Sequence, residues 1–412
     1  MPSVCLYFKV HHPFQLKQYR AHDVGACHCY EDAAADEAAI NKLADACYLP
    51  ANNILLSVIE KCKGAFKVNF SISGVVLDLL SKYRPDVITS FQALADTGCI
   101  EILAETYYHS LSFLHSKKEF EKQVLQHAEL VQDLFDLKTK VFRNTELIYN
   151  NKLAAQIAAL GFQGILCEGI ERILQGRTAN KVYASPGINE FGLLLRNAVL
   201  SDDISFRFDD AAWDKHPLTA DRFAEWIHTH PAESEVINLF MDYETFGIHK
   251  REESGIFSFL EALPSEVLAY SNCSFNTASE ALDAYKPLDV YDVPSTISWE
   301  DKTWESCVWC DNTMQNNTLK KIYSLEKMVM HANDDHLTEV WRRLQSADYF
   351  YYMANKNCHT NNHHYACPFE TPDKVFGYYT NIVTDFEIAL IRKALEGKEL
   401  AGYSTSGTLY QL

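Results

Sequence analysis

Residues 235–247 read EVINLFMDYETFG: an apolar run interrupted only by Asn238 and followed at once by Asp242 and Glu244, with Gly247 closing the turn. A short, continuous apolar run with β-branched and aromatic residues fits a strand covered on both faces, as in a parallel sheet. The same unit, an apolar run and then a polar cluster, recurs along the first 280 residues, at 4–10, 66–72, 100–104, 139–142, 164–167 and 193–195. Between these runs, stretches such as 75–83, 117–136 and 151–160 carry apolar residues at three- and four-residue spacing, which predicts helices. Alternation of this kind specifies an α/β fold built on parallel strands.

The polar clusters at the carboxyl ends of these runs are more informative than the runs themselves. They are His11-His12-Pro13, Ser71 to Gly74, Glu105 to His109, Arg143 to Glu146, Glu168-Gly169, Arg196-Asn197 and Asp242 to Gly247. One polar loop after a strand is ordinary, since loops run over the surface. Seven, several led by an acid, a histidine or an arginine, predict that the strands close into a seven-stranded (β/α) barrel, an incomplete relative of the eight-stranded form, whose carboxyl ends share one face. This barrel is expected over 1–290. A further run near 274–276 is too short to decide. Past residue 290 the pattern becomes helical, at 315–333, 335–347 and 372–398, so that 291–412 reads as a helical C-terminal domain, with a Cys/His/Asn-rich loop at 355–368.

Composition narrows the function. With 47% hydrophobic and 22% charged residues over 412 positions, the chain is of ordinary globular type and long enough for more than one domain. Lys plus Arg number 37 against 55 Asp plus Glu, a formal charge of −18, which repels nucleic-acid backbones and anionic membranes and favours a neutral or cationic substrate. The 23 Phe, 22 Tyr and 6 Trp suffice for a core and for a cleft that accepts apolar ligand faces. The 12 cysteines are scattered rather than paired by spacing, which predicts reduced thiols. The opening MPSVCLYFKVHHPF lacks the basic start of a leader, and no apolar run is long enough to span a bilayer, so a cytoplasmic location is expected.

Three strings place reactive groups directly after strands: KVHHPF from Lys9, GILCEGI from Gly164 and MDYETFG from Met241. Asp242 and Glu244, two apart, point the same way in extended geometry and share a field. Two like charges in a poorly solvated cleft raise one pKa, which suits a general acid at neutral pH. Each acid alone is equally compatible with a helix cap or an ion pair.

Taken in order, the strings resemble glycoside hydrolase family 57, in particular its shorter α-amylase-like group. KVHHPF is similar to the family's first region, with His11 on its histidine and His12 where the family has Gln. SISGVVLDLL from Ser71 resembles the second region, and LQSADYFYYM from Leu344 the fifth. LAETYYHSL from Leu103 and LLLRNAVLSDDISFRF from Leu193 are also similar to that group. The resemblance implies Glu168 as nucleophile and Asp242 as general acid/base of a retaining hydrolase acting on α-1,4-glucan, glycogen or maltooligosaccharides, with no cofactor. It further implies substrate contacts at His11, His109, Glu244, Trp309 (in SCVWCDNTMQ from Ser306) and Asp348, and a C-terminal helical region that completes the cleft. Tyr107 or Tyr108 is a possible stacking platform. A 4-α-glucanotransferase using the same pair, or a catalytically silent glucan-binding homologue, remains open at this level. Metal sites at His22, Cys27, His28 and Cys29, or at Cys358 to Cys367, are less favoured by ligand spacing. Cys307-x-x-Cys310 lacks the surroundings of a redox motif.

Overall fold

The computed structural model describes residues 2–26, 28–231, 233–299, 308–354 and 368–406. The chain forms two compact units. The first comprises 1–12, 36–109 and 118–307; the second comprises 13–35, 110–117 and the chain from 308 onward.

In the first unit seven parallel strands form a closed ring. They are Ser3–Val10, Val68–Ile72, Ile100–Ile102, Val141–Arg143, Gly164–Glu168, Ile188–Arg196 and Val236–Asp242, here the first to seventh barrel strands. The first pairs with the second (Tyr7 with Asn69), the second with the third (Phe70 with Ile102), the fourth with the fifth and the fifth with the sixth (Glu168 with Arg196). A single bridge between Ala104 and Phe142 joins the third to the fourth, where Arg143 N–H donates to Ala104 O at 2.8 Å. The sixth meets the seventh only at Arg196 and Asn238, and the seventh returns to the first, with Lys9 beside Asp242. All seven coincide with the runs read in the sequence. Among the described residues, three shorter strands lie outside the ring: Val182–Ser185, antiparallel to the sixth; Asp289–Val290 beside it; and Ser274–Phe275 on the first.

Alternation decides what fills the barrel, because every second side chain of a strand faces inward. Cys5, Tyr7, Leu103, Val141, Leu166, Leu194, Val236 and Phe240 form one buried cluster with Ala278, Ala281 and Leu282 of the helix Ala278–Ala284. That helix begins at Thr277, whose side chain accepts from Glu280 N–H while Glu280 returns a bond to Thr277 N–H. Gly164 and Gly192 make room for it: a Cβ on Gly192 would lie 2.3 Å from Leu282, and one on Gly164 2.4 Å from the Gly192 carbonyl oxygen. The inward parity carried two residues further reaches Lys9, Glu105, Arg143, Glu168, Arg196 and Asp242, so the strands end in a charged layer.

The second unit is helical, with Thr313–Ser324, Glu326–Ala332, Asp335–Arg343, Ala347–Tyr351 and the long Pro372–Ser406. The expected helix at 315–333 is two helices meeting at Leu325, and the one expected to reach 347 stops at Arg343. Asn312 and Asp334 cap two of them by accepting from Gln315 and Leu337 N–H. Its core includes Trp341, whose Nε1–H donates to Ile322 O at 2.9 Å, and Tyr349 and Phe350 packed on Tyr379. Among the described residues no helix is long and apolar enough to cross a membrane.

Candidate active site

Glu168 closes the fifth strand and is buried. Its Oε1 lies 3.5 Å from Arg196 Nη1, whereas its buried Oε2 has no hydrogen-bond partner. Burial pushes this carboxyl up to about 7 against the opposing pull of Arg196. Arg196, the inward residue next to it on the sixth strand, also binds the Phe240 carbonyl through Nε (3.0 Å) and pairs with Asp202. The Tyr291 hydroxyl holds the backbone by donating to Glu168 O at 3.0 Å.

Asp242 closes the seventh strand, the more accessible of the two carboxylates at 20% of its side chain. Lys9 on the neighbouring first strand approaches its Oδ1 at 3.8 Å. Glu244 is buried one short turn later, accepting from the Tyr48 hydroxyl at 2.5 Å. Its burial, and then the charge of Asp242, push its pKa up to about 8. Tyr48 ends a π-helical turn, Ala44–Tyr48, and stacks on Tyr243; wide turns of this kind recur at functional positions.

A buried ionic network adjoins the pair. Glu146 sits at φ 54°, in the left-handed region, and Leu147 comes next at 51°. Two successive non-glycine residues in that region carry strain that the surroundings must hold in place. Glu146 Oε1 accepts from Lys9 Nζ at 2.9 Å and meets His109 Nε2 at 2.7 Å, while its Oε2 accepts from Trp299 Nε1–H at 2.7 Å. Burial alone would raise the Glu146 carboxyl, but Lys9, His109 and Arg143 hold it well below the ordinary range. Glu105 behaves alike: burial is outweighed by His109 and Arg143, and its pKa falls to about 2. Its Oε1 accepts from Ser71 Oγ–H at 2.8 Å. His127 Nε2 faces the Ile72 carbonyl at 2.7 Å and must donate, while its Nδ1 accepts from Glu105 N–H; burial depresses its pKa, so this ring is neutral.

Of the expected substrate contacts, His11 and His109 stack with ring centres 3.8 Å apart, and His11 Nδ1 lies 2.7 Å from Ser73 Oγ. Asp348 and Trp309 belong to the second unit. There Asp348 Oδ2 accepts from Ser346 Oγ–H at 2.6 Å, and Trp309 is buried against Tyr351. Tyr107 and Tyr108 are packing residues: Tyr107 lies against Gly74 and donates to Asp78 at 2.8 Å, and Tyr108 is fully buried. His28 is engaged by Asp385 at 2.6 Å and Cys29 by Lys17. Cys27, Cys307 and the whole Cys358 to Cys367 loop lie outside the described residues.

Lys9, Glu146 and Tyr48 contact the two carboxylates Asp242 and Glu244 or their network, and the sequence gives none of the three a role. Lys9 was detectable as the one charge inside an otherwise apolar strand. Nothing local marks Tyr48, which reaches Glu244 across 196 residues.

A family model described as Glycosyl hydrolase family 57 matches residues 5–294, the span that carries the barrel and both carboxylates. The chain belongs to that family. It is therefore a glycoside hydrolase by descent, and its α-amylase-like character agrees with a Methanocaldococcus jannaschii protein, provisionally named an alpha-amylase, that is 38% identical over 92% of this chain and 83% of its own length. Solved structures superpose at much lower identity. A 4-alpha-glucanotransferase from Thermococcus litoralis gives a TM-score of 0.65 at 14% identity over 85% of this chain, which spans only 56% of that protein. The branching enzyme of Pyrococcus horikoshii gives 0.64 at 13% identity over 93% of this chain and 88% of its own. These likenesses establish the family 57 barrel with its helical C-terminal region.

Proposed function

We propose that this family 57 member is a retaining hydrolase of the α-amylase type, cleaving α-1,4 bonds in glycogen- or starch-derived glucans. The observation that carries the reading is the placement of Glu168 and Asp242 as inward residues at the carboxyl ends of the fifth and seventh strands, one buried beside a guanidinium and the other partly accessible. Glu168, ionised beside Arg196, attacks the anomeric carbon through its unpartnered Oε2 as the glycosidic C–O bond breaks. Asp242 gives its proton to the departing oxygen and later takes one from the incoming water, so the anomeric configuration is kept. Such a mechanism calls for carboxyl groups about 5–5.5 Å apart in the substrate complex. His11 and Glu244 supply polar contacts to sugar hydroxyls near the pair; His109, fully buried with Nε2 on Glu146 and Nδ1 3.4 Å from Glu105, backs His11 instead, and Asp348 and Trp309 are assigned to the substrate from the family pattern.

The test is incubation with maltoheptaose, with and without chelator, beside Glu168→Gln. Shorter oligosaccharides from the wild type under both conditions, with none from the variant, are expected. Longer products would reassign the protein to glucanotransferase, and a silent wild type that still binds glycogen would reassign it to a binding role.

A further inference from the structure

The double displacement by Glu168 and Asp242 leaves a deeply buried lysine of the barrel without a task. Lys9 is inward on the first strand, its side chain 5% exposed, in register with Asp242 on the seventh. A lysine is rarely placed so deep unless it is paired, because desolvation disfavours its charged form. Here Glu146 at 2.9 Å and Asp242 at 3.8 Å, in that order, outweigh the burial and keep the ammonium charged, although Arg143 opposes it. Glu146 is in turn held by His109 and Trp299, in a backbone conformation that is strained. The result is a fixed cation whose shorter contact is structural and whose longer contact is with the more exposed carboxylate. The groups that face Asp242 include Lys9 from the first strand and Glu244 from its own turn, with Tyr48 bound to Glu244 from the π-helical segment.

Resting on the hydrolase reading, we propose that Lys9, locked by Glu146, is the positioning residue of Asp242: it holds that carboxyl in the attitude from which the proton reaches the departing glycosidic oxygen, and plays no part in the attack by Glu168. The Glu146 anchor explains why a buried lysine is placed there at all. With one partner immobilised, the ammonium cannot follow Asp242 but directs it. Glu168 has its own separate cation in Arg196, so the two carboxylates are steered independently.

This division makes the effect depend on the leaving group. An aryl α-maltooligoside with an acidic phenol departs as phenolate and needs no proton, whereas a sugar leaving group requires one. For Lys9→Met, kcat/KM on maltoheptaose is expected to fall by about 100-fold, the cost of a misplaced reacting group, while the value on 2-chloro-4-nitrophenyl α-maltotrioside falls by less than about tenfold in the first, bond-breaking step. Removing one partner of a buried pair threatens folding, so the double variant Lys9→Met with Glu146→Gln, which removes both charges together, carries the same test. Lys9→Arg, which keeps the charge, is expected to recover part of the loss on maltoheptaose. Equal losses on the two substrates in a folded variant would overturn the proposal, as would full activity on maltoheptaose. A wild type inert on both substrates would instead remove the hydrolase reading beneath it.

Discussion

Along the same strands, within four residues, the inward positions pass from Cys5 to Lys9, from Gly164 to Glu168 and from Gly192 to Arg196. The amino-terminal end of the barrel is closed by apolar packing of Leu282, Ala281 and Ala278 against Val141, Leu166, Leu194 and Val236. The inward acid at this end, Glu101, accepts from Ser279 N–H through Oε2 at 2.8 Å, at the start of the closing helix, and leaves its buried Oε1 without a hydrogen-bond partner. The carboxyl-terminal end is crowded with Lys9, Glu105, Arg143, Glu146, Glu168 and Arg196, all buried. Arg143 Nε and Nη1 and Glu168 Oε2 lack hydrogen-bond partners there, an arrangement costly to stability that an apolar filling would avoid. Identical strand geometry therefore supports two opposite uses: one end holds the barrel together, and the other holds charges in fixed relation.

If that division is sound, variants at the two ends must fail in different ways. Asp242→Asn is expected to lower turnover of maltoheptaose by about 10²–10⁴-fold while leaving the melting temperature close to wild type, checked by product chromatography beside thermal denaturation. A loss of stability of the same order as the loss of activity would break the comparison. Leu282→Ala, at the closed end, is expected to cost about 2–5 kcal/mol of stability through the cavity it leaves, with kcat of the folded fraction little changed. A smaller effect is expected from Glu244→Gln, and it depends on pH. The folded Glu244 carboxyl is raised to about 8 by burial and by Asp242, above its ordinary 4.5. The folded state thus holds that proton more tightly than the unfolded chain, and the associated stability is full below pH 4.5 and lost as pH rises through 8. The amide does not titrate. Relative to wild type, the variant is expected to gain stability progressively as pH rises from 5 to 9, read as a rising difference in melting temperature.

The two ends also differ in how far they could be read from the chain. All seven barrel strands were visible as apolar runs, because strands buried on both faces carry little else, and the final residue of several was visible as a charge. The Val182–Ser185 strand was missed: it pairs antiparallel outside the ring, and its four residues carry no long apolar run. The helix Ala278–Ala284 was equally hidden, although Thr277 and Glu280 form a capping box, since seven residues are too few to show a period. At the charged end the positions of Glu168, Asp242 and Glu244 just at the strand ends were legible in their strings. Glu146 was noticed only as part of a polar cluster, and Tyr48 not at all. The aromatic reading was the least dependable, for Tyr107 and Tyr108 are core residues that composition does not distinguish from a sugar platform.

Sequence alone determined the count and order of the seven barrel strands and which carboxylates stand at their ends, because burial periodicity and chain order are local properties. Closure of the ring, the register that sets Lys9 beside Asp242 and Glu168 beside Arg196, and the shifted pKa values of Glu168, Glu244 and Glu105 were decided by the tertiary structure. Each depends on groups far apart in the chain meeting where water is excluded, and the strength of a charge interaction there is set by burial and distance, neither of which is written in any single stretch of residues.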